Sequence, residues 1–287
     1  MIAIYKKEMR TYFTQMMGYV FLAFLLLLVG IWFVMINVFG GNANFHNVLG
    51  QVVIFFFILL PILTMRLFSE EIRQKTDQLI FTSPLTVAGI VLGKFFAAFS
   101  LFVIGTLLTA VLPMILSRYA ELPLSQIVGT YIGFIMLGAS CIAVGVFISC
   151  LTENQIIAAV ATMGAIFAMF LIDAIALTMP TSTFASLMFV AFIIAAVVAV
   201  WYNSTRHVIA SIIVGVAGIA VAVGLYFFNN LIFEGLIVRV LLWFSVFSRY
   251  NNFTRGVLNL NDLVYYVSFA ALFLYITVNI LEKRRWR

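Results

Sequence analysis

Residue types that could do chemistry are sparse in this 287-residue chain, and their spacing rules out most of it. No H-E-x-x-H, paired-cysteine zinc motif or G-x-S-x-G is present, so hydrolytic and metal-dependent chemistry has no scaffold. The only two histidines, His46 and His207, fall on opposite sides of the expected membrane. Cys141 and Cys150 share one expected helix, where nine residues of rise separate them by about 13 Å, too far for a disulfide. Gly89-Ile90-Val91-Leu92-Gly93-Lys94-Phe95 looks at first like a phosphate-binding loop. It has three residues between its glycines instead of four, Phe95 stands where a Ser or Thr would hold magnesium, and no strand precedes it. The sequence therefore points to no enzyme: no catalytic residue, no metal ligands and no cofactor site of its own.

What remains is charge in unexpected places. Only 9% of the residues are charged, yet seven formal charges fall between Met65 and Lys94: Arg66, Glu70, Glu71, Arg73, Lys75, Asp77 and Lys94. A mixed cluster of this kind is expelled from hydrocarbon, where each charge costs about 2.5–3.5 kcal/mol, so the stretch is expected to protrude into water between two spans. Ser69 to Gln78 contains no Gly or Pro, and Glu71 stands four residues before Lys75, a favourable pairing on a helix. A short polar helix is expected there, with Ser83 as N-cap and Pro84 as first residue of the next helix. An ordinary solvated loop is the plain alternative. Asp173 is the one clear acid inside a span, and intramembrane carboxylates are candidates for ion or cargo contact.

The elements that would position these residues are membrane helices. The chain is 65% hydrophobic with a mean hydropathy of +1.19, well above soluble domains. The net charge of +6 sits mostly at span ends, which suits headgroups and membrane sidedness and does not point to nucleic acid. Met1 to Gln15 is amphipathic, with Ile2, Tyr5, Met9, Tyr12, Phe13 and Met16 at helical spacing and Lys6, Lys7 and Arg10 between them. That suits a helix lying flat on the membrane. No cleavable signal peptide is evident.

Spans are expected at about Tyr19–Val38, Val52–Met65 (containing Pro61), Phe95–Leu116, Ser125–Leu151, Ile156–Thr178, Phe184–Trp201, Val208–Phe228 and Leu263–Leu281. Gly129 and Gly133 in the fourth form a G-x-x-x-G step, and Gly138 and Gly145 follow, so that face packs closely on another helix, of this chain or of a second copy. Leu231–Phe247 is interrupted by Glu234 and Arg239 and reads as a re-entrant or interfacial segment on the outer side, lining a cargo exit. With the N-terminus inside, eight spans return the C-terminus inside. Twelve basic residues, from Lys6 to Arg287, are then cytoplasmic, and only Arg118, Arg239, Arg249 and Arg255 are not.

Around the polar stretch the sequence resembles the permease subunits of ABC-2-type transporters, nearest to the gliding-motility-associated branch. The likeness rests on Glu70-Glu71-Ile72-Arg73-Gln74-Lys75-Thr76, Ser83-Pro84 and Gly93-Lys94. It extends to Tyr5-Lys6-Lys7-Glu8 with Gly18-Tyr19-Val20-Phe21, to Leu151-Thr152-Glu153-Asn154-Gln155, and to Phe253-Thr254-Arg255-Gly256-Val257. Two departures stand out: the family usually has Gly near Lys75-Thr76, and it usually has six spans, whereas residues 184–228 look like an inserted helix pair. The resemblance implies an all-α polytopic membrane protein with a six-span ABC-2 core plus that insertion, about eight spans in all. Residues 1–287 would form one permease domain, with an interfacial helix (1–16), a cytoplasmic coupling region (66–84), the insertion (184–228) and an extracytoplasmic re-entrant region (231–258).

It also implies a multi-pass cell-membrane exporter subunit. ATP and magnesium would be held by a separate cytosolic ABC ATP-binding subunit, beside a second permease copy or homologue, membrane lipid and an extracytoplasmic auxiliary subunit. Glu70, Glu71, Arg73 and Lys75 are the expected ATPase-coupling residues, and Asp173, Glu234 and Arg239 the candidate cargo path. Few charges inside the spans favour an amphipathic or lipid-like cargo. The alternatives are an ion-coupled secondary transporter using Asp173, or a non-transporting membrane scaffold.

Overall fold

The computed structural model describes residues 1–76, 85–205, 207–228 and 233–285. Apolar runs this long form helices because a backbone in hydrocarbon must satisfy its own hydrogen bonds. In chain order the helices are α1 (Ile2–Thr14), α2 (Met16–Phe33), α3 (His46–Val53), α4 (Phe56–Thr64), α5 (Ser69–Arg73), α6 (Val87–Thr109) and α7 (Val111–Leu116). They continue with α8 (Leu124–Leu151), α9 (Gln155–Thr178), α10 (Thr183–Thr205), α11 (Val208–Phe228), α12 (Leu236–Phe244), α13 (Tyr250–Thr254) and α14 (Leu260–Arg285). Among the described residues there is no strand, and five helical stretches are long and apolar enough to cross a membrane: 16–39, 87–116, 124–151, 155–178 and 260–284. The bent pair α3–α4 has the length and composition of a sixth, as either one broken span or a re-entrant loop. The chain is thus an all-helical, polytopic membrane protein.

Three elements differ from the expected boundaries. The first span ends in a π-helical turn, Val34–Phe39. The second is not one helix, because α3 and α4 meet at 66° across Ile54 and Phe55. The break precedes Pro61, which lies buried inside α4, so the proline is not where the chain bends. The third starts at Val87 instead of Phe95: Thr86 caps α6, its Oγ1 accepting from the Gly89 N–H at 3.2 Å. The N-cap expected at Ser83 lies outside the described residues.

The chain divides into two compact units, Met1–Met169 with Val246–Arg287, and Phe170–Ser245. At the centre of the first, Phe56, Phe102 and Phe134 form an aromatic cluster with centroids 4.8–5.6 Å apart. Glycines on α8 permit this closeness. A Cβ at Gly138 would sit 2.2 Å from the Phe102 ring, and one at Gly145 2.2 Å from Thr64 Oγ1. The G-x-x-x-G face packs within this chain: a Cβ at Gly129 would meet the Phe253 carbonyl, and one at Gly133 the Phe253 side chain, both at 2.6 Å.

The second unit contains the helix pair read as an insertion. Gly218 lies against Ile194 and Gly215 against Val198, so α10 and α11 run antiparallel as a hairpin. They have 23 and 21 residues, about 34 and 31 Å of rise. By contrast α12 has nine residues, about 13 Å, too short to cross a bilayer. It starts at Gly235, whose φ of 63° suits a residue without Cβ, and whose N–H donates to the Thr181 carbonyl at 3.1 Å.

Candidate functional site

The polar helix α5 is shorter than its sequence suggests. It ends at Arg73, and Lys75 adopts a φ of 56°. The Thr76 N–H donates to the Glu71 carbonyl (3.0 Å) and the Lys75 N–H to the Ile72 carbonyl (3.1 Å), which together form a Schellman C-terminus. Glycine is the usual occupant of that left-handed position, and a lysine there costs about 1 kcal/mol more. The helix expected to reach Gln78 is therefore stopped by a capping turn. Asp77 and Ser83-Pro84 lie outside the described residues.

The expected Glu71–Lys75 pairing is not made either. Glu71 turns inward, and its Oε1 lies 2.9 Å from Lys94 Nζ on α6 and 3.1 Å from Lys7 Nζ on α1. Lys94 reaches Glu8 Oε1 at 3.1 Å, donates also to the Leu67 carbonyl, and sits 5.0 Å from the Phe68 ring centre. The Lys94 side chain is only 1% exposed, so the expectation that it protrudes into water with its neighbours is corrected. An isolated ammonium buried to this degree would be strongly disfavoured, and two carboxylates, a carbonyl and an aromatic face compensate it. One lysine thus ties together α1, the polar segment and α6.

Surrounding contacts reinforce this junction. Gly93 accommodates it, since a Cβ there would lie 3.0 Å from the Met1 carbonyl and 3.1 Å from Ile4. Tyr12 Oη donates to the Leu63 carbonyl at 2.9 Å, and Tyr5 Oη donates to Ser100 Oγ at 3.1 Å. Burial pushes the Tyr12 phenol well above its ordinary pKa, with Glu8 adding to the effect and Arg66 opposing it. For Lys7, burial lowers the pKa, but Glu71 and then Glu8 outweigh it and the ammonium ends above its ordinary value. Arg66 grips Glu70 through Nη2 (2.6 Å) and Nε (2.7 Å), and Gln74 Nε2 donates to the other Glu70 oxygen at 3.2 Å. Between α1 and the polar segment lies a cleft of about 40 Å³, lined by Glu8, Tyr12, Arg66 and Glu70 among others. That is room for about three waters and not for a drug-sized ligand.

The structure separates the four candidate coupling residues into two pairs. Glu70 and Glu71 are ion-paired within the fold, while Arg73 and Lys75 are exposed. The candidate cargo residues lie in the second unit. Asp173 accepts a hydrogen bond from the buried Ser245 hydroxyl. Glu234 and Arg239 are exposed, and the Arg239 guanidinium donates to the Glu234 backbone carbonyl, not to its carboxylate. Sequence reasoning missed the roles of Lys7, Glu8 and Lys94. A lone lysine eight residues into an apolar helix was the available signal.

A second polar cluster sits near the other end of the first unit. Asp262 receives Arg249 Nη1 at 3.0 Å and Asn252 Nδ2 at 2.8 Å, and Arg249 stacks 3.8 Å over the Tyr265 ring. Tyr266 Oη donates to the Val246 carbonyl at 2.8 Å. Asn37 Oδ1, His46 Nδ1 and Tyr250 Oη are buried without a hydrogen-bond partner among the described residues. Comparison with models of known protein families, with curated proteins and with solved structures finds no match.

Proposed function

We propose that this chain is the membrane-spanning permease subunit of an ATP-driven ABC-2-type exporter. It works in the cell membrane with both termini cytoplasmic, beside a second permease copy and a separate cytosolic subunit that holds ATP and magnesium. The observation that carries this reading is the Lys94 junction. A helix that merely filled a loop would need no buried ion pairs, whereas α5 is fastened through Glu71 to both α6 and α1. Displacement of α5 by an ATP-binding partner would therefore reach the third span through Lys94 and the N-terminal helix through Lys7 and Glu8.

The remaining parts fit that scheme. The five long apolar stretches among the described residues, with the bent α3–α4 pair counted as one span and the α10–α11 hairpin as two more, give eight and return the chain to its starting side. The short α12, with Glu234 and Arg239 exposed, would belong to an extracytoplasmic re-entrant region near the cargo exit. The cargo is an amphipathic or lipid-like molecule, since the spans carry few charges.

Co-purification of the full chain in mild detergent tests the reading. An ATP-binding subunit is expected to accompany it, and the triple change Glu70→Ala, Glu71→Ala, Arg73→Ala is expected to weaken that complex or to uncouple ATP hydrolysis from transport. Unchanged binding and unchanged transport in the triple variant would sink the coupling role. Absence of any ATP-binding partner would sink the exporter assignment.

A further inference from the structure

On α1 and the described part of the polar segment, charges are sorted by direction. All three carboxylates, Glu8, Glu70 and Glu71, are held in ion pairs inside the fold. The charged side chains left exposed are basic: Arg73 and Lys75 at the tip of α5, and Lys6, Lys7 and Arg10 on α1, of which Lys7 is drawn into the ion pairs with Glu71 and Glu8. The two basic groups differ in their company. Lys6 and Arg10 share their helix with the exposed apolar residues Ile2 and Phe13, as suits a membrane surface. Beside Arg73 and Lys75 no large apolar side chain is exposed among the described residues of the segment.

A second, independent feature marks the same tip. Lys75 occupies a left-handed backbone position that glycine would adopt without strain. A strained residue retained where an unstrained one would serve the fold points to a use for its side chain. The Lys75 and Thr76 N–H groups are already satisfied within the turn, so recognition here must come from side-chain charge. Arg73 offers a fork suited to a carboxylate, and Lys75 a point charge next to it.

We infer that the Arg73–Lys75 tip docks on an acidic, Asp- or Glu-bearing surface of the ATP-binding partner, while Glu70 and Glu71 stay within the permease and carry the force onward. The inference rests on the exporter reading. It replaces a mixed-charge contact with a basic one and excludes the membrane surface as the tip's main contact.

The test uses the full chain in native membranes, with a photo-crosslinking amino acid at Gln74, which is exposed between the two basic residues. Irradiation is expected to capture an ATP-binding subunit through a peptide containing Asp or Glu. Arg73→Glu with Lys75→Glu should lower capture at least tenfold, and changing the captured acids to Lys should restore it. Lys75→Gly separates docking from folding: it should reduce capture while leaving thermal stability equal or higher. Equal capture of the ATP-binding subunit by all variants would overturn the inference and leave the exporter reading standing. Capture of lipid alone at Gln74 would overturn the inference in favour of a membrane contact. Capture of neither, together with no ATP-binding subunit on co-purification, would overturn both.

Discussion

Replacing Lys94 with methionine keeps the length and apolar stem of the side chain while removing the charge at the centre of the junction. Glu8 and Glu71, whose side chains are only 12% and 14% exposed, are then left facing each other. Breaking a buried pair by deleting one partner costs about 3–5 kcal/mol, because the remaining charge is uncompensated. Here Lys7 remains 3.1 Å from Glu71 and 3.8 Å from Glu8, but it is itself 59% exposed and screened. The low end, about 3 kcal/mol, is therefore expected, or a fall of roughly 6–12 °C in Tm. Adding Glu8→Gln restores neutrality by leaving one carboxylate for Lys7. The double variant Lys94→Met, Glu8→Gln should thus be more stable than Lys94→Met alone, with a coupling of about 1 kcal/mol or more. The assay is the monomeric fraction remaining after graded heating in mild detergent, resolved by size-exclusion chromatography. A Lys94→Met chain that melts with the wild type, or a double variant that melts below the single, would refute the assignment of Lys94 as the tie between the three elements.

Other expectations follow from packing, hydrogen bonding and topology. Gly133→Ala would place a methyl 2.6 Å from Phe253 and should destabilise the chain by about 1–3 kcal/mol, whereas Gly164→Ala, with open space around it, should be neutral or gain up to about 1 kcal/mol; paired melts check the contrast. Tyr250→Phe removes a buried hydroxyl that has no partner among the described residues and should raise stability by about 1 kcal/mol, and a lower Tm would show that the hydroxyl is bonded. Single cysteines replacing Asn42 and His207, in a chain lacking Cys141 and Cys150, should react with impermeant reagents from opposite sides; reaction of both from outside would mean that the α10–α11 hairpin does not cross the membrane. For Lys7, whose pKa is raised, the stabilising contribution is fully present below the unfolded lysine pKa of about 10.4 and is lost as pH rises through the folded value, so Lys7→Met should blunt alkaline unfolding.

Hydropathy by itself determined that this is a helical membrane protein, because twenty apolar residues in a row have no other stable home and each span carries its own hydrogen bonds. The polar segment was legible for the same reason in reverse. Charges excluded from lipid mark the chain between spans, and Glu70, Glu71, Arg73 and Lys75 were found that way. Sequence could not tell which of those charges face outward. Glu71 and Lys75 have ideal spacing for a helical pair, but the chain turns left-handed at Lys75 and Glu71 finds Lys7 and Lys94 instead, 64 and 23 positions away. Nor could glycine spacing reveal what fills the gap beside Gly129 and Gly133; the occupant is Phe253 of this same chain, on a five-residue helix that no periodicity announces. Local rules reach about one helical turn, and these partners meet only when helices far apart in the chain are packed together. The element types were therefore fixed by composition, while the direction of each buried charge was decided by tertiary contact, where leaving one unpaired costs several kcal/mol.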